Sequence, residues 1–128
     1  MAKAVTWGVC AIAVSCVAWF VMLMHVRGAG SRTRSPVDTL AVAGPFLVWG
    51  GAALGGAIAA YFAPQSKLLV GTAMSIPATV LMALAVWLFE ATGHRADSTG
   101  AMGRLAALVW NTIVCAMGAV AGSWASRN

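Results

Sequence analysis

The sequence has 128 residues, of which 61% are hydrophobic and only 9% are charged, and its mean hydropathy is +0.86. Soluble domains carry roughly 25% charged residues, and so short a chain cannot hide this much apolar surface in a water-soluble core. The composition therefore excludes an ordinary soluble domain. The net charge of +5 comes from few basic residues. Their scatter favours roles in topology and lipid headgroup contact over nucleic-acid binding, which we do not expect.

The charged residues divide the chain into uncharged windows of membrane-spanning length. We predict spans at about residues 4–26, 39–62, 68–89 and 105–125. Each is close to the ~20 residues that cross ~30 Å of hydrocarbon. The connection at residues 63–67 is so short that the second and third spans must be adjacent and antiparallel. We predict an all-α integral membrane protein, with four transmembrane helices in an antiparallel up-down bundle that forms a single membrane domain over residues 1–128.

The first window follows Lys3 and is longer than the apolar part of a usual signal peptide. Because no small-residue cleavage site follows it, we expect a retained anchor. It has a modest small-residue face, formed by Ala4, Gly8, Ala11 and Ser15. A basic loop rich in glycine and serine follows at residues 27–36. Asp38 and Thr39 come after this loop, and we expect them to cap the second helix.

The second window contains two rows of small residues at a spacing of four. On a helix these rows are neighbours and form one smooth stripe, which another helix in a bilayer can approach closely. The rows are Gly51, Gly55 and Ala59, and Ala52, Gly56 and Ala60. Trp49 is a large ring at the start of this stripe. We expect it to be an interior packing residue or the wall of a cavity.

Similar rows occur in the later windows, where Gly71 and Ser75 form one and Gly118 and Gly122 form another. The predicted helix-packing residues are therefore Gly51, Gly55, Ala59, Gly71, Ser75, Gly118 and Gly122. One bundle interior can absorb some of these rows, and the rest suggest contact with further copies or with a larger membrane protein. Besides the lipid bilayer, the partners we expect are thus a second copy of the chain or a larger membrane complex.

Pro77 lies in the middle of the third window and cannot donate a hydrogen bond to the carbonyl of Ala73, so a kink is expected. Hydroxyls cluster near it, and they either satisfy the freed backbone, which we favour, or line a polar path for a solute. Asn111 is the only amide within a window, and we expect it to bond to a neighbouring helix rather than to a ligand. The residues of the hypothetical path are Trp49, Thr72, Ser75, Pro77, Thr79 and Asn111.

Reactive chemistry is scarce in this sequence. No charged residue lies deep in a window, although proton-coupled carriers and pumps usually bury an acidic residue or a histidine there. The three cysteines are odd in number and form no CxxC pair. His25 and His94, with Asp38, Glu90 and Asp97, lack tight metal-ligand spacing. Nucleophile and phosphate-binding motifs are also missing. We therefore expect neither catalysis nor a metal, haem or other cofactor.

The basic residues predict the orientation in a bacterial-type inner membrane, and the aromatic residues are an independent test of the four spans. Five arginines fall in the loops after the first and third windows, against Lys3, Lys67 and Arg127 on the other side. The positive-inside rule then places both termini outside. In a zigzag chain, two aromatic belts follow, one of Trp7, Tyr61 and Trp124 and the other of Trp19, Trp87 and Trp110.

Two functional hypotheses remain after the sequence has been considered. The first is a non-catalytic structural or accessory subunit that packs against itself or a larger membrane complex, because packing features are abundant and reactive groups are scarce. The alternative is a small channel or facilitator for a neutral or anionic solute, which would use the path residues around Pro77.

Overall fold

The computed structural model describes the backbone of residues 1–28, 34–92 and 100–128, and the side chains outside 23–45, 89 and 93–104. The described residues form helices and no strand, as the all-α prediction requires. The helices are α1 (Ala2–Gly28), α2 (Arg34–Phe62), α3 (Lys67–Ala73), α4 (Ser75–Ala91) and α5 (Gly100–Ala125).

Within the part of the chain that the structure describes, three helical stretches are long and apolar enough to cross a membrane, namely Ala2–Met22, Lys67–Leu88 and Leu105–Ala125. A shorter apolar stretch, Phe46–Phe62, forms the carboxy-terminal part of α2. These lengths and compositions are those of a helical membrane protein.

The second helix begins earlier than predicted. Because α2 starts at Arg34, Asp38 and Thr39 lie inside the helix and do not cap it, so this prediction is wrong. Pro36 falls in the first turn of the helix, where a missing backbone N–H costs little. The loop predicted at residues 27–36 is correspondingly shortened, and its remaining part, 29–33, lies outside the described residues.

The predicted third span consists of two helices that are separated at Met74. The Met74 amide donates to the carbonyl of Gly71 over 3.3 Å, which tightens the last turn of α3. The Ala78 amide then donates to the carbonyl of Met74 over 3.1 Å, so α4 continues from this point. The expected interruption is present on the amino-terminal side of Pro77, which cannot donate to the Ala73 carbonyl.

The centre of the bundle is α2, which packs against α1 on one side and against α3 and α5 on the other. The closest-packed residues are small, since Ala52, Ala59, Ala60 and Ala119 are completely buried. Bulky apolar side chains cover the outer surface, as in Val14, Leu69 and Met117. This distribution lets helix backbones approach each other inside and leaves an apolar exterior suited to lipid.

Candidate functional site

One row of small residues on α2 faces α1. A Cβ atom added at Gly51 would overlap the side chain of Ser15. One added at Gly55 would lie 2.5 Å from Cγ1 of Ile12 and 2.9 Å from the carbonyl oxygen of Gly8. A Cβ atom at Gly8 would in turn lie 2.9 Å from the carbonyl oxygen of Gly55. We call these contacts the α1 seam. The two helices can lie close together here because Gly8, Gly51 and Gly55 have no side chains to separate them.

The neighbouring positions of α2 face α5, and here the contacts are made by backbone atoms. Cβ atoms added at Gly118 and Gly122 would overlap the carbonyl oxygens of Ala53 and Ala57, respectively. One added at Gly56 would lie 2.5 Å from the carbonyl oxygen of Cys115. We call these contacts the α5 seam. Such close backbone approach is typical of glycine pairs at a spacing of four and permits Cα–H···O contacts.

A third contact joins α3 to both helices. A Cβ atom at Gly71 would overlap the side chain of Ala119 in α5 and would lie 2.7 Å from the carbonyl oxygen of Gly56. All the predicted helix-packing residues are thus buried within one chain, namely Gly51, Gly55, Ala59, Gly71, Ser75, Gly118 and Gly122. The stripe on α2 serves two different neighbours and does not form one outward surface.

A polar contact joins α4 to α5 beside these seams. Asn111 is only 1% exposed, and its Nδ2 donates to Oγ1 of Thr79 over 3.1 Å. Oγ1 of Thr79 donates to the carbonyl of Ser75 over 2.8 Å, one turn back in its own helix. Oδ1 of Asn111 is buried and meets no donor among the residues that the structure describes. The asparagine therefore bonds to the neighbouring helix and still has an unused acceptor.

A shallow groove lies on the outer side of the break between α3 and α4. Its volume is about 510 Å³, and it is lined by Leu68, Leu69, Thr72, Ala73 and Ser75. Ser75 is otherwise buried, at 5% exposure. It therefore stands between the groove and the bundle interior.

Trp49 belongs to an aromatic cluster and does not line this groove. Its ring is half-buried, and its centroid lies 5.3 Å from that of Trp110 and 5.6 Å from that of Phe46. The residues of the hypothetical path consequently fall in separate places. Trp49 is in the ring cluster, Thr72 and Ser75 are at the groove, and Thr79 and Asn111 are at the α4–α5 contact. Pro77 is half-buried in the first turn of α4.

Another polar contact ties the start of α3 to the end of α5. Nζ of Lys67 donates to Oγ of Ser126 over 2.6 Å, and that hydroxyl donates to the carbonyl of Ser123 over 2.8 Å. Trp124 lies two residues before Ser126 in the sequence and is 68% exposed. Trp7 and Tyr61, its predicted companions in one aromatic belt, are also exposed.

The residues weighed as metal ligands are mostly beyond what the structure describes. The side chains of His25, Asp38, His94 and Asp97 lie outside the described residues, whereas Glu90 is exposed at the end of α4. Where side chains are described, no three His, Cys, Asp or Glu residues come together in a way that could hold a metal ion. Cys10, Cys16 and Cys115 are free thiols, and Sγ of Cys115 lies 3.4 Å from the carbonyl oxygen of Ala52.

Gly8, Ser15 and Gly56 also lie in the seams. They fall in small-residue rows of the sequence but are not among the predicted helix-packing residues. Their small-residue rows were a usable signal for all of them. No sequence signal indicated that Oδ1 of Asn111 would lack a donor, because that depends on which side chain faces it. Comparisons with known protein families, curated proteins and solved structures find no match to this chain.

Proposed function

We propose that this chain is a non-catalytic structural or accessory protein of a bacterial-type inner membrane, which packs against itself or a larger membrane complex. The predicted helix-packing residues are all buried within one chain, so they support a packing role but do not themselves indicate a partner. The strongest support for the packing role is the use of these small residues. They bring helix backbones together inside one chain, as in the contact of Gly118 with the carbonyl of Ala53. The interior of the described bundle is occupied by contacts between helices, which fits a structural role better than a catalytic one.

The surface available to a partner is bulky and apolar. Val14, Leu69 and Met117 each expose more than two thirds of their area, at 69%, 71% and 69%. Because the glycine rows are occupied within the chain, a partner would contact these larger side chains. Lipid covers whatever part of the surface a partner leaves free.

We further propose four membrane spans in an antiparallel up-down arrangement, with both termini outside. The backbone of α2 is helical from Arg34 to Phe62, and residues 40–62 carry no charge. That stretch measures about 34 Å at ~1.5 Å per residue. The pairing of Gly8 with Gly55 and of Ser15 with Gly51 supports opposite directions for α1 and α2. The pairing of Gly71 in α3 with Ala119, and of Thr79 in α4 with Asn111, supports the same for the α3–α4 segment and α5.

Purification from native membranes in a mild detergent tests the accessory role. We expect native mass spectrometry to show either more than one copy or a partner in fixed ratio. Leu69→Ala and Met117→Ala should weaken that assembly if they lie in the interface, while Gly50→Ala, at an exposed position with open space around it, should not. A chain recovered only as a monomer from several detergents, without a stoichiometric partner, would contradict the proposal.

Orientation is tested separately with reporter fusions after Asn128. We expect an alkaline phosphatase fusion, which needs export, to be active, and a fluorescent fusion that requires the cytoplasm to be dark. The reverse pattern would place the carboxy terminus inside, and with four spans the amino terminus as well, and it would leave the packing proposal untouched.

A second candidate function is a facilitator for a small neutral solute. The specific observation in its favour is Oδ1 of Asn111, which has no donor among the described residues. The same side chain is bonded to Thr79, five residues after the helix break at Met74. Broken helices in membranes are tolerated where they are buried in protein or line a water-filled cavity. Reconstituted vesicles would reveal this function as a solute permeability that Asn111→Leu removes.

A further inference from the structure

We propose that Oδ1 of Asn111 is the acceptor in a binding site for one small neutral molecule that carries a hydroxyl group, either water or a small alcohol. The side chain is 1% exposed, and its Nδ2 is already committed to Thr79. Its Oδ1 finds no donor among the described residues. A buried carbonyl oxygen of this kind almost always has a partner in a folded protein, and in a bilayer no bulk solvent supplies one.

The groups around Asn111 favour an uncharged molecule that donates a hydrogen bond to Oδ1 over a cation or an anion. The described oxygen atoms closest in the network are the hydroxyl of Thr79 and the carbonyl of Ser75, and no charge accompanies them. The nearest described carboxylate along α4 is Glu90, which is exposed at the end of that helix. A cation would therefore lack a counter-charge in the membrane interior, and an anion would face acceptor oxygens. A hydroxyl group satisfies Oδ1 without bringing a charge.

The break between α3 and α4 provides the route to this site. Thr72 and Ser75 line the groove of about 510 Å³, and Ser75 also accepts the hydrogen bond from Thr79. Ala73 lies in the same lining, and its carbonyl cannot receive a hydrogen bond from Pro77. The hydrogen bonds of Ser75 and Thr79 thus link the groove lining to Asn111, over the one helical turn that separates these two residues.

The chain offers an internal control for a direct test, because its asparagines are Asn111 and Asn128 alone. The full chain is labelled at the asparagine side-chain nitrogen and placed in lipid nanodiscs. Magnetisation transfer from water to the two amide groups is then measured. We expect long-lived contact at Asn111 and only short-lived exchange at Asn128, which is exposed. Absence of any contact at Asn111, in water and with glycerol added, would overturn the proposal.

Glycerol titration separates the two sources of the hydroxyl. A saturable shift of the Asn111 amide with loss of the water contact would assign a small alcohol, and an unchanged contact would assign water. The route is tested with Thr72→Val, which removes a groove hydroxyl and keeps the side-chain volume. We expect several-fold slower exchange of the Asn111 amide with deuterium oxide. Thr112→Val is the matched control, since that hydroxyl donates to the carbonyl of Leu108 in its own helix.

This inference refines the second candidate function, but binding is measured here without transport. Contact at Asn111 with no solute flux would keep the site and reject the facilitator. Flux without contact at Asn111 would reject the site and keep a facilitator that uses another path. Neither result depends on Asn111→Leu folding, because all measurements use the unchanged asparagine.

Discussion

The two seams of α2 differ in the atoms that make their closest contacts. Toward α1, the atoms that would meet a Cβ at Gly51 belong to the side chain of Ser15, and its backbone Cα stays 3.8 Å away. Toward α5, the atoms that would meet one at Gly118 are the carbonyl oxygen, carbon and Cα of Ala53. A side chain can be changed or moved, whereas a carbonyl in a helix is fixed by its own hydrogen bonds. A substitution at Gly51 in the α1 seam should therefore be repairable by a second mutation, and one at Gly118 in the α5 seam should not.

The largest expected effect is from adding a methyl group to the α5 seam. Gly118→Ala should lower the free energy of unfolding by about 3 kcal/mol, because the helices must separate to admit the new group. Unfolding in SDS from mixed micelles measures the change. Gly50→Ala is the matched control, since a Cβ there meets nothing within 4 Å. Equal stability of the two variants would show that the seam is not closed as described.

The α1 seam should respond less strongly and should be open to rescue. Gly51→Ala should cost about 2 kcal/mol alone. Ser15→Gly removes the obstructing atoms, so the double variant should recover about 1 kcal/mol as coupling energy. The comparison requires that Ala53→Gly gives Gly118→Ala no such recovery, because glycine keeps the obstructing carbonyl. Equal coupling in both pairs would erase the distinction between the seams.

The α4–α5 contact provides a third kind of packing, which depends on a hydrogen bond between side chains. Thr79→Val should cost about 0.6 kcal/mol, the average for such bonds in membrane proteins. Thr112→Val should cost less, since its hydroxyl bonds only within α5. The same unfolding assay checks both variants. A larger loss at Thr112 would contradict the assigned role of Thr79.

The smallest expected effect concerns the contact at the membrane surface. Lys67→Met removes the bond to Ser126 and should cost about 0.5 kcal/mol. Lys3→Met removes the same charge from an exposed position and should change stability hardly at all. Equal losses for both variants at low salt would show that net charge, and not the bond to Ser126, accounts for the effect.

Much of this architecture could be predicted from the sequence, because the length of the apolar segments and the spacing of small residues do not depend on how the helices are arranged. The break before Pro77 also followed from chemistry, since proline lacks the N–H that a helix needs. The early start of α2 did not follow, because Asp38 is a common capping residue and nothing local forbids it inside a helix.

Only part of the candidate site could be predicted from the sequence. Asn111 was expected to bond to a neighbouring helix, but its partner Thr79 and the unused Oδ1 depend on how α4 and α5 are rotated. Trp49 was expected in the interior or beside a cavity. It is half-buried, and its ring packs on Trp110. Rotation of helices about their axes is set by many weak contacts, and no short pattern in the sequence reports it.

The central place of α2 has a consequence for how the protein is made. The ribosome delivers α2 second and its closest backbone partner, α5, last. Until α5 is inserted, the carbonyls of Ala53 and Ala57 lack their contacts with Gly118 and Gly122. A chain cut short before residue 100 would keep the residues of the α1 seam and expose the face of α2 that otherwise packs on α5. Completion of these contacts is thus tied to the synthesis of α5, and the exposed face distinguishes a chain that stops before α5 from one that contains it.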